Sequence, residues 1–378
     1  MNAVLLGYGT VGKGVEDLCK NVEDLTLTNV FVLPEFVDEP YFTNDGLSIV
    51  TDPKTDIVFE CLSGTEPSNT LITAALKAGK HVISSNKATL APHLKEYVAL
   101  ARENGGSIQL EAAVAGGIPF MDALLKLSLL EQLDGYEGIF NGTSNFILDN
   151  MQKNGADYAE VLKEAQKLGY AEANPEADVE GWDVYHKTNI SNALAFGTAM
   201  QAPIKPVGIS KITSTDVNFA KENGLILRHL STSRTNSGKF GSIIAPAFLE
   251  ADDYLANIPS NYNAQLIYAP SFEKIGYFGQ GAGRYATAQA MVANAIDTIR
   301  HTERKIVLDE RSVWDDEAVQ ENWIVRSGAD LSDLDGFVRT IPYQDALYYL
   351  FENRSQKLAD EALARDPMAM AALWRVKE

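Results

Sequence analysis

Disulfide chemistry has little to work with in this chain: only Cys19 and Cys61 occur among 378 residues. Two cysteines, one in a predicted helix and one in a predicted strand, exclude a disulfide framework and fit a reducing compartment. Histidine is equally sparse. His81, His93, His186, His229 and His301 are scattered without zinc-ligand spacing, which argues against a transition-metal centre. Basic residues are outnumbered, 32 against 51 acidic ones, for a formal charge of −19. Nucleic-acid binding rests on Lys and Arg neutralising phosphates, so neither a nucleic acid nor an anionic membrane surface is expected as a partner. No apolar run nears the roughly 20 residues of a membrane span, and no basic-then-apolar leader precedes the first strand. The expectation is a cytoplasmic protein acting on a small molecule.

What is present is a rhythm. The apolar runs "AVLLG", "NVFVL", "DIVFECL", "HVISS" and "SIQLEAAV" read as buried parallel strands. Between them lie helical stretches such as "PSNTLITAALKAGK" and "APHLKEYVALARENGG", the second closed by glycines suited to a helix end. This alternation predicts an α/β fold with a Rossmann-type doubly wound parallel sheet over residues 1–132. From residue 133 to 278 longer helices (155–168 and 179–199) mix with strands at "LILRHL" and "GSIIA", a second, α+β domain. Residues 279–304 read as a glycine turn and a helix returning to the first domain. Residues 305–378 read as a polar tail of uncertain role, with strands predicted at "NWIVR" and "ALWRV".

The segment "LLGYGTVGKGV" places Gly7, Gly9 and Gly12 in G-x-G-x-x-G spacing between a strand and a helix. Such glycines allow a tight turn, a close pyrophosphate and close helix–strand packing, while the helix N-terminus, with Thr10 and Val11, offers N–H groups to phosphate. Glu35, 23 residues beyond Gly12, lies close to the spacing of a ribose-hydroxyl acceptor. No Lys or Arg occurs between Asn21 and Pro53, so NAD is expected in preference to NADP. Other strand ends, at "ECLSG" with Ser63 and "SSNKA" with Lys87, belong to the carboxyl edge that carries ligand contacts.

The glycine turn, "SSNKA", "EAAVAGGIPF", "FNGTSNFIL", "LGYAEANPEADVEGWDVYHK" and "GQGAGRYATAQA", in this order, resemble homoserine dehydrogenase over residues 1–304. The resemblance implies reversible conversion of L-homoserine and NAD(P)⁺ to L-aspartate 4-semialdehyde and NAD(P)H, on the way to threonine and methionine. It carries the substrate glutamate onto Glu172, its acidic partners onto Asp178 and Asp183, the catalytic lysine onto Lys187 and a second lysine onto Lys87. Gly142 and Thr143 of the "NGTSN" turn join the substrate site. Gly169 and Gly283 join the cofactor contacts. A monovalent cation, Na⁺ or K⁺, would be held at Glu111, Val114, Gly116 and Ile118. A homodimer or homotetramer, assembled through the second domain's sheet, is also implied. The tail lacks the glycine-centred turn of the amino-acid-binding regulatory domain that many members carry, so feedback control by threonine is not expected.

Elementary chemistry agrees. Homoserine carries an ammonium, for which Glu172 and Asp178 offer acceptors. Asp183 and Lys187 stand four apart, on one helical face. Lys187 or Lys87 would then move the hydroxyl proton. Tyr170 reads as a pocket wall, Asp178 reads also as a helix N-cap, and Trp182 and Tyr185 read as core residues. Two rivals remain open at this point. Another NAD(P)-dependent carbonyl oxidoreductase of the semialdehyde type needs a cysteine nucleophile, for which only Cys61 is placed; a Tyr-x-x-x-Lys pair occurs nowhere. The other rival is a catalytically silent dinucleotide sensor.

Overall fold

The computed structural model describes residues 1–37 and 39–377. By its contacts the chain divides into two compact units: residues 1–131 with 189–197 and 279–310, and residues 132–188 with 198–278 and 311–378. No helix of the described residues is long and apolar enough to cross a membrane.

In the first unit six strands form one parallel sheet: Asn2–Leu6 (β1), Thr26–Phe31 (β2), Phe42–Thr43 (β3), Ile57–Glu60 (β4), His81–Ser84 (β5) and Ser107–Gln109 (β6). Their order is β3-β2-β1-β4-β5-β6, the doubly wound arrangement, with its switch point between β1 and β4. Leu5 pairs with Val30 on one side and Phe59 on the other, and all three are fully buried. Helices cover both faces of such a sheet, which is why its strands are apolar without alternation. The Arg284–Arg300 helix packs on the Thr10–Cys19 helix, and Gly14 makes the approach close. A Cβ there would lie 2.7 Å from the Arg284 carbonyl oxygen and 2.9 Å from Ala288 Cβ.

The glycine turn follows β1. Gly7 has φ of +94°, a conformation L side chains rarely adopt. A Cβ on Gly12 would come 2.1 Å from the Gly7 carbonyl oxygen, whereas one on Gly9 would meet nothing within 4 Å. The two glycines therefore serve different ends, packing at Gly12 and open approach at Gly9. Gly9→Ala should keep the unfolding free energy within about 0.5 kcal/mol of wild type, yet weaken NADH binding at least about tenfold, by fluorescence titration. Equal NADH affinity in Gly9→Ala would show that no phosphate approaches this backbone.

The second unit is built on a mixed sheet. Its strands are Gly135–Ile139 (β7), Leu225–Asn236 (β8), Lys239–Glu250 (β9), Tyr262–Ala269 (β10), Glu273–Gln280 (β11), Val313–Trp314 (β12), Glu321–Arg326 (β13), Phe337–Tyr343 (β14), Ala346–Arg354 (β15) and Met370–Arg375 (β16). The order is β11-β10-β7-β8-β9-β16-β13-β15-β14, with β12 paired to β9. Both faces of its middle are buried: Trp323 and Val325 enter one apolar cluster, while Ile324 between them enters another. A strand buried on both sides reads as a continuous apolar run, as "NWIVR" does.

The segment beyond residue 304 is more ordered than its sequence suggests. The predicted strands at "NWIVR" and "ALWRV" form, and β12, β14, β15 and a helix at Lys357–Arg365 join them. The order β16-β13-β15-β14 is that of a βαββαβ unit whose first helix is replaced by the loop 327–336. Its last strand runs parallel to β9, so the unit continues the main sheet. Arg375 on β16 locks the junction. Its guanidinium donates to Glu137 Oε2 on β7 (2.7 Å), Thr232 Oγ1 on β8 (2.8 Å) and Glu321 Oε1 on β13 (2.7 Å). Glu137 also accepts from Arg234 and from the Tyr268 hydroxyl. Burial pushes the Glu137 carboxyl up, but Arg375 and Arg234 outweigh it and hold it at about 2.

Candidate active site

In the second unit the Gly142–Asn154 helix begins at Asn141, whose side-chain oxygen accepts from Ser144 N at 2.8 Å, an N-cap. The amide nitrogen of the same side chain donates to Asp178 Oδ1 (2.7 Å) and to Asp183 Oδ2 (2.9 Å). One residue thus starts a helix and gathers two carboxylates from a distant stretch. Asp183 Oδ2 also accepts from Lys187 Nζ at 2.7 Å, and Lys187 donates again to the Phe140 carbonyl at 2.6 Å. The Asp183 and Lys187 side chains are only 8% and 10% exposed, so this is a desolvated pair rather than a screened surface one.

Local sequence explains the placement. Asp183 and Lys187 are on the Trp182–Phe196 helix, one turn apart. The chain enters it through Gly181, at φ +83°, where a Cβ would lie 3.0 Å from Pro206 and 3.2 Å from His229 Cε1. His229, on β8, is buried and its Nε2 donates to the Val207 carbonyl at 2.9 Å. Burial pulls its pKa down to about 4, so the imidazole behind Gly181 is neutral near pH 7. Its depressed folded pKa gives stability that is complete above the unfolded value of about 6.5 and is lost as pH falls through 4. The loss is about 3 kcal/mol from this group. Urea midpoints at pH 7 and 4.5 should show it, and His229→Gln should flatten that slope.

Asp178 lies inside the short Glu176–Val179 helix, so it caps neither that helix nor the next. Thr143 Oγ1 donates to the Tyr170 carbonyl at 2.5 Å, and the Tyr170 ring packs edge-on against Phe146, 5.1 Å between centroids. Tyr170 is 39% exposed and Glu172 is exposed, its carbonyl accepting from Gln166. Gly142 sits against Asn261, whose carbonyl a Cβ would meet at 2.6 Å, and Gly169 has nothing near it. Trp182, expected in the core, is 38% exposed and meets Tyr185 edge-on; as the first residue of its helix it projects away from the packed side.

In the first unit Lys87 opens the Lys87–Asn104 helix just past the end of β5 and is half-buried. Asn86 before it donates to the Gly64 carbonyl and to Ser68 Oγ. The buried Glu60, closing β4, accepts from Ser84 Oγ at 2.6 Å and Leu62 N at 2.9 Å. This tie joins the loops carrying Ser63 and Lys87. Thr10 and Ser63 are exposed and Val11 half-buried; Glu35 is exposed in the Pro34–Phe36 turn; Gly283, at φ +124°, precedes the Arg284–Arg300 helix. The Glu111 carboxylate accepts from Met121 N (3.1 Å) and Asp122 N (2.6 Å), and burial pushes it up to about 7. The Ile118 carbonyl accepts from Phe120 N, while Val114 and Gly116 complete the turn, Gly116 with φ +58°. Cys61 places its Sγ 3.5 Å from Met291 Sδ, and burial pushes its thiol up, the reverse of an activated nucleophile. No group of three metal-ligating side chains occurs among the described residues.

The family description "Homoserine dehydrogenase, NAD binding domain" matches residues 7–111, and "Homoserine dehydrogenase" matches residues 119–296. A homoserine dehydrogenase of Neisseria gonorrhoeae is 36% identical over 318 residues, 80% of this chain and 73% of that protein. The chain belongs to the homoserine dehydrogenase family. That of Pseudomonas aeruginosa is 39% identical over 259 residues, 68% of this chain; the match spans 60% of the relative's length. The crystal structure of a homoserine dehydrogenase from Thiobacillus denitrificans superposes with a TM-score of 0.86, at 29% identity over 99% of this chain and 98% of that one. Membership in this oxidoreductase family sets aside the cysteine-dependent rival.

Asn141, Gly181, Glu60 and His229 escaped the sequence reading. Asn141 stood inside the quoted "NGTSN" turn, and an Asn before a helix is a visible cap signal. Its bonds to residues about 40 positions away left no local trace.

Proposed function

We propose that this chain reversibly oxidises L-homoserine to L-aspartate 4-semialdehyde with NAD in preference to NADP, a step of threonine and methionine biosynthesis in the cytoplasm. The observation that carries this reading is the buried Asp183–Lys187 pair drawn together with Asp178 by Asn141. Glu172 and Asp178 hold the substrate ammonium, Thr143 and Tyr170 form the wall beside it, and Lys187 moves the hydroxyl proton. Asp183 orients Lys187 by its 2.7 Å bond. Lys87 binds substrate or cofactor. Following reduced nicotinamide by absorbance with L-homoserine tests the reading, and absence of turnover with either cofactor would favour the silent sensor instead.

The residues fit a dinucleotide. Gly9 leaves open space beside the backbone, the Thr10–Cys19 helix presents its N-terminus there, and Ser63 and Gly283 stand at other loop ends. When bound, the nicotinamide accepts the hydride. The preference for NAD rests on Glu35 and on the Asn21–Pro53 segment, which holds no Lys or Arg to meet a 2′-phosphate. The ratio of kcat/KM for the two cofactors should favour NAD at least about tenfold; an advantage for NADP at moderate salt would require Lys13 or Lys54 to reach the phosphate.

A monovalent cation, Na⁺ or K⁺, would be shared between Glu111 and the carbonyls of Val114, Gly116 and Ile118. It would have to compete for the Glu111 carboxylate with the two N–H groups that it already accepts. Assembly as a homodimer or homotetramer through the sheet of the second unit is the matching proposal for quaternary structure.

A further inference from the structure

The second unit contains a cavity of about 440 Å³, within the range that holds small ligands. It opens at the far end of the Gly142–Asn154 helix from Asn141, so a rise of about 1.5 Å per residue puts Lys153 roughly 18 Å from the cap that gathers the active-site carboxylates. Its charge is the reverse of the molecule's. Arg228, Lys153 and Lys221 line it against one carboxylate, Asp149, in a chain of formal charge −19.

The cations are under-compensated. Asp149 is shared: Oδ1 accepts from Arg228 at 3.1 Å, and Oδ2 accepts from Lys153 at 2.8 Å and Ser260 N at 2.9 Å. Arg228 is 4% exposed, and its Nε has no acceptor among the described residues. That Nε is sealed from solvent, and Nη1 and Nη2 donate to the Leu227 carbonyl, Asp149 and the Ala256 carbonyl, so Arg228 acts on the cavity through its charge. Lys153 and Lys221 stand exposed beside it. Leu225, Ile226 and Pro259 supply an apolar wall.

Acceptors for a ligand ammonium are scarce. The carbonyls of Leu225, Ala251 and Ala256 already accept from Gln152, Asn257 and Arg228. Both amide groups of the Gln152 side chain are engaged as well, its oxygen by Leu227 N. The Asn257 side-chain oxygen and Asp149 remain as acceptors, but three cations against them favour a carboxylate with an aliphatic body over the same molecule with an added α-ammonium.

We infer that this cavity is a second binding site, separate from the active site, for a short aliphatic carboxylate lacking an amino group. Titration calorimetry of the full chain with sodium 3-methylbutanoate, and with L-valine as its amino counterpart, tests it at low and moderate salt. Saturable binding of 3-methylbutanoate at millimolar concentration is expected, weakened by salt. L-valine should bind at least about tenfold more weakly, and the Lys153→Gln/Lys221→Gln double variant should lose at least about tenfold affinity for the acid. Both lysines are exposed, so that variant is expected to fold, with the far-UV circular dichroism spectrum as the check. No saturable binding, equal binding of L-valine, or unchanged affinity in the double variant would overturn the proposal.

Discussion

Lys187→Ala should lower kcat for homoserine oxidation by about 10²–10⁴-fold, the range for a lost general acid or base. The expectation rests on geometry: Nζ is held at 2.7 Å by Asp183 and 2.6 Å by the Phe140 carbonyl, with little freedom to wander. Such fixed placement contributes to the reacting state more than to substrate binding, so the loss falls on kcat. Glu172→Ala should act differently. Its side chain is exposed and would grip the ammonium in both ground and transition states, so KM should rise with kcat little changed. NADH affinity should hold in both variants. Because removing one member of a buried ion pair can itself destabilise by about 3–5 kcal/mol, urea midpoints must accompany the kinetics. Near-normal kcat in Lys187→Ala with abolished kcat in Lys87→Ala would move the proton to Lys87. Activity in both would show the site misplaced.

Arg375→Ala should cost about 3 kcal/mol of stability, though it lies outside the candidate active site. It removes three bonds at 2.7–2.8 Å that tie β16 to β7, β8 and β13, and it leaves the buried Glu137 with Arg234 as its remaining cation. The sign with pH follows from Glu137. Its folded pKa of about 2 lies below the unfolded carboxylate value, so its contribution is present above about pH 4.3 and fades as pH falls through 2. In Arg375→Ala that acid dependence should shrink. Urea denaturation of Arg375→Ala, Glu137→Gln and the double variant gives the coupling, expected at about 1–3 kcal/mol. Single-variant losses within about 0.5 kcal/mol would mean the junction is held by sheet pairing and apolar packing alone.

The two experiments probe parts of the molecule that differ in how visible they are from the chain. The parallel sheet was legible because each strand is short, apolar and bounded by turn residues, and because Gly7, Gly9 and Gly12 follow β1 directly. Lys187 and Asp183 were legible through the resemblance, which carries a lysine and an acidic partner onto them; their four-residue spacing adds only that they share one helical face. By contrast, Trp182 read as a core residue because three-residue spacing to Tyr185 suits a buried stripe, and nothing local says which side of the helix is covered.

Residues 305–378 show the limit most clearly. Their strands at Glu321–Arg326 and Met370–Arg375 were readable from apolar runs, but their joining of the main sheet was not. Parallel pairing of β16 with β9 joins residues more than 120 positions apart, and Arg375 looks like any terminal cation until Glu137 is placed beside it. Local patterns record each segment's own conformational preference and which residue types can carry a chemistry, and by these the chain alone specified the nucleotide fold, the family and the acid–lysine pair. Which carboxylates converge on Asn141, which histidine stays neutral behind Gly181, and which cations are left facing one Asp149 depend on long-range pairings. Those are set by burial and mutual desolvation in the folded chain, where a charge's partner is decided by space rather than by sequence.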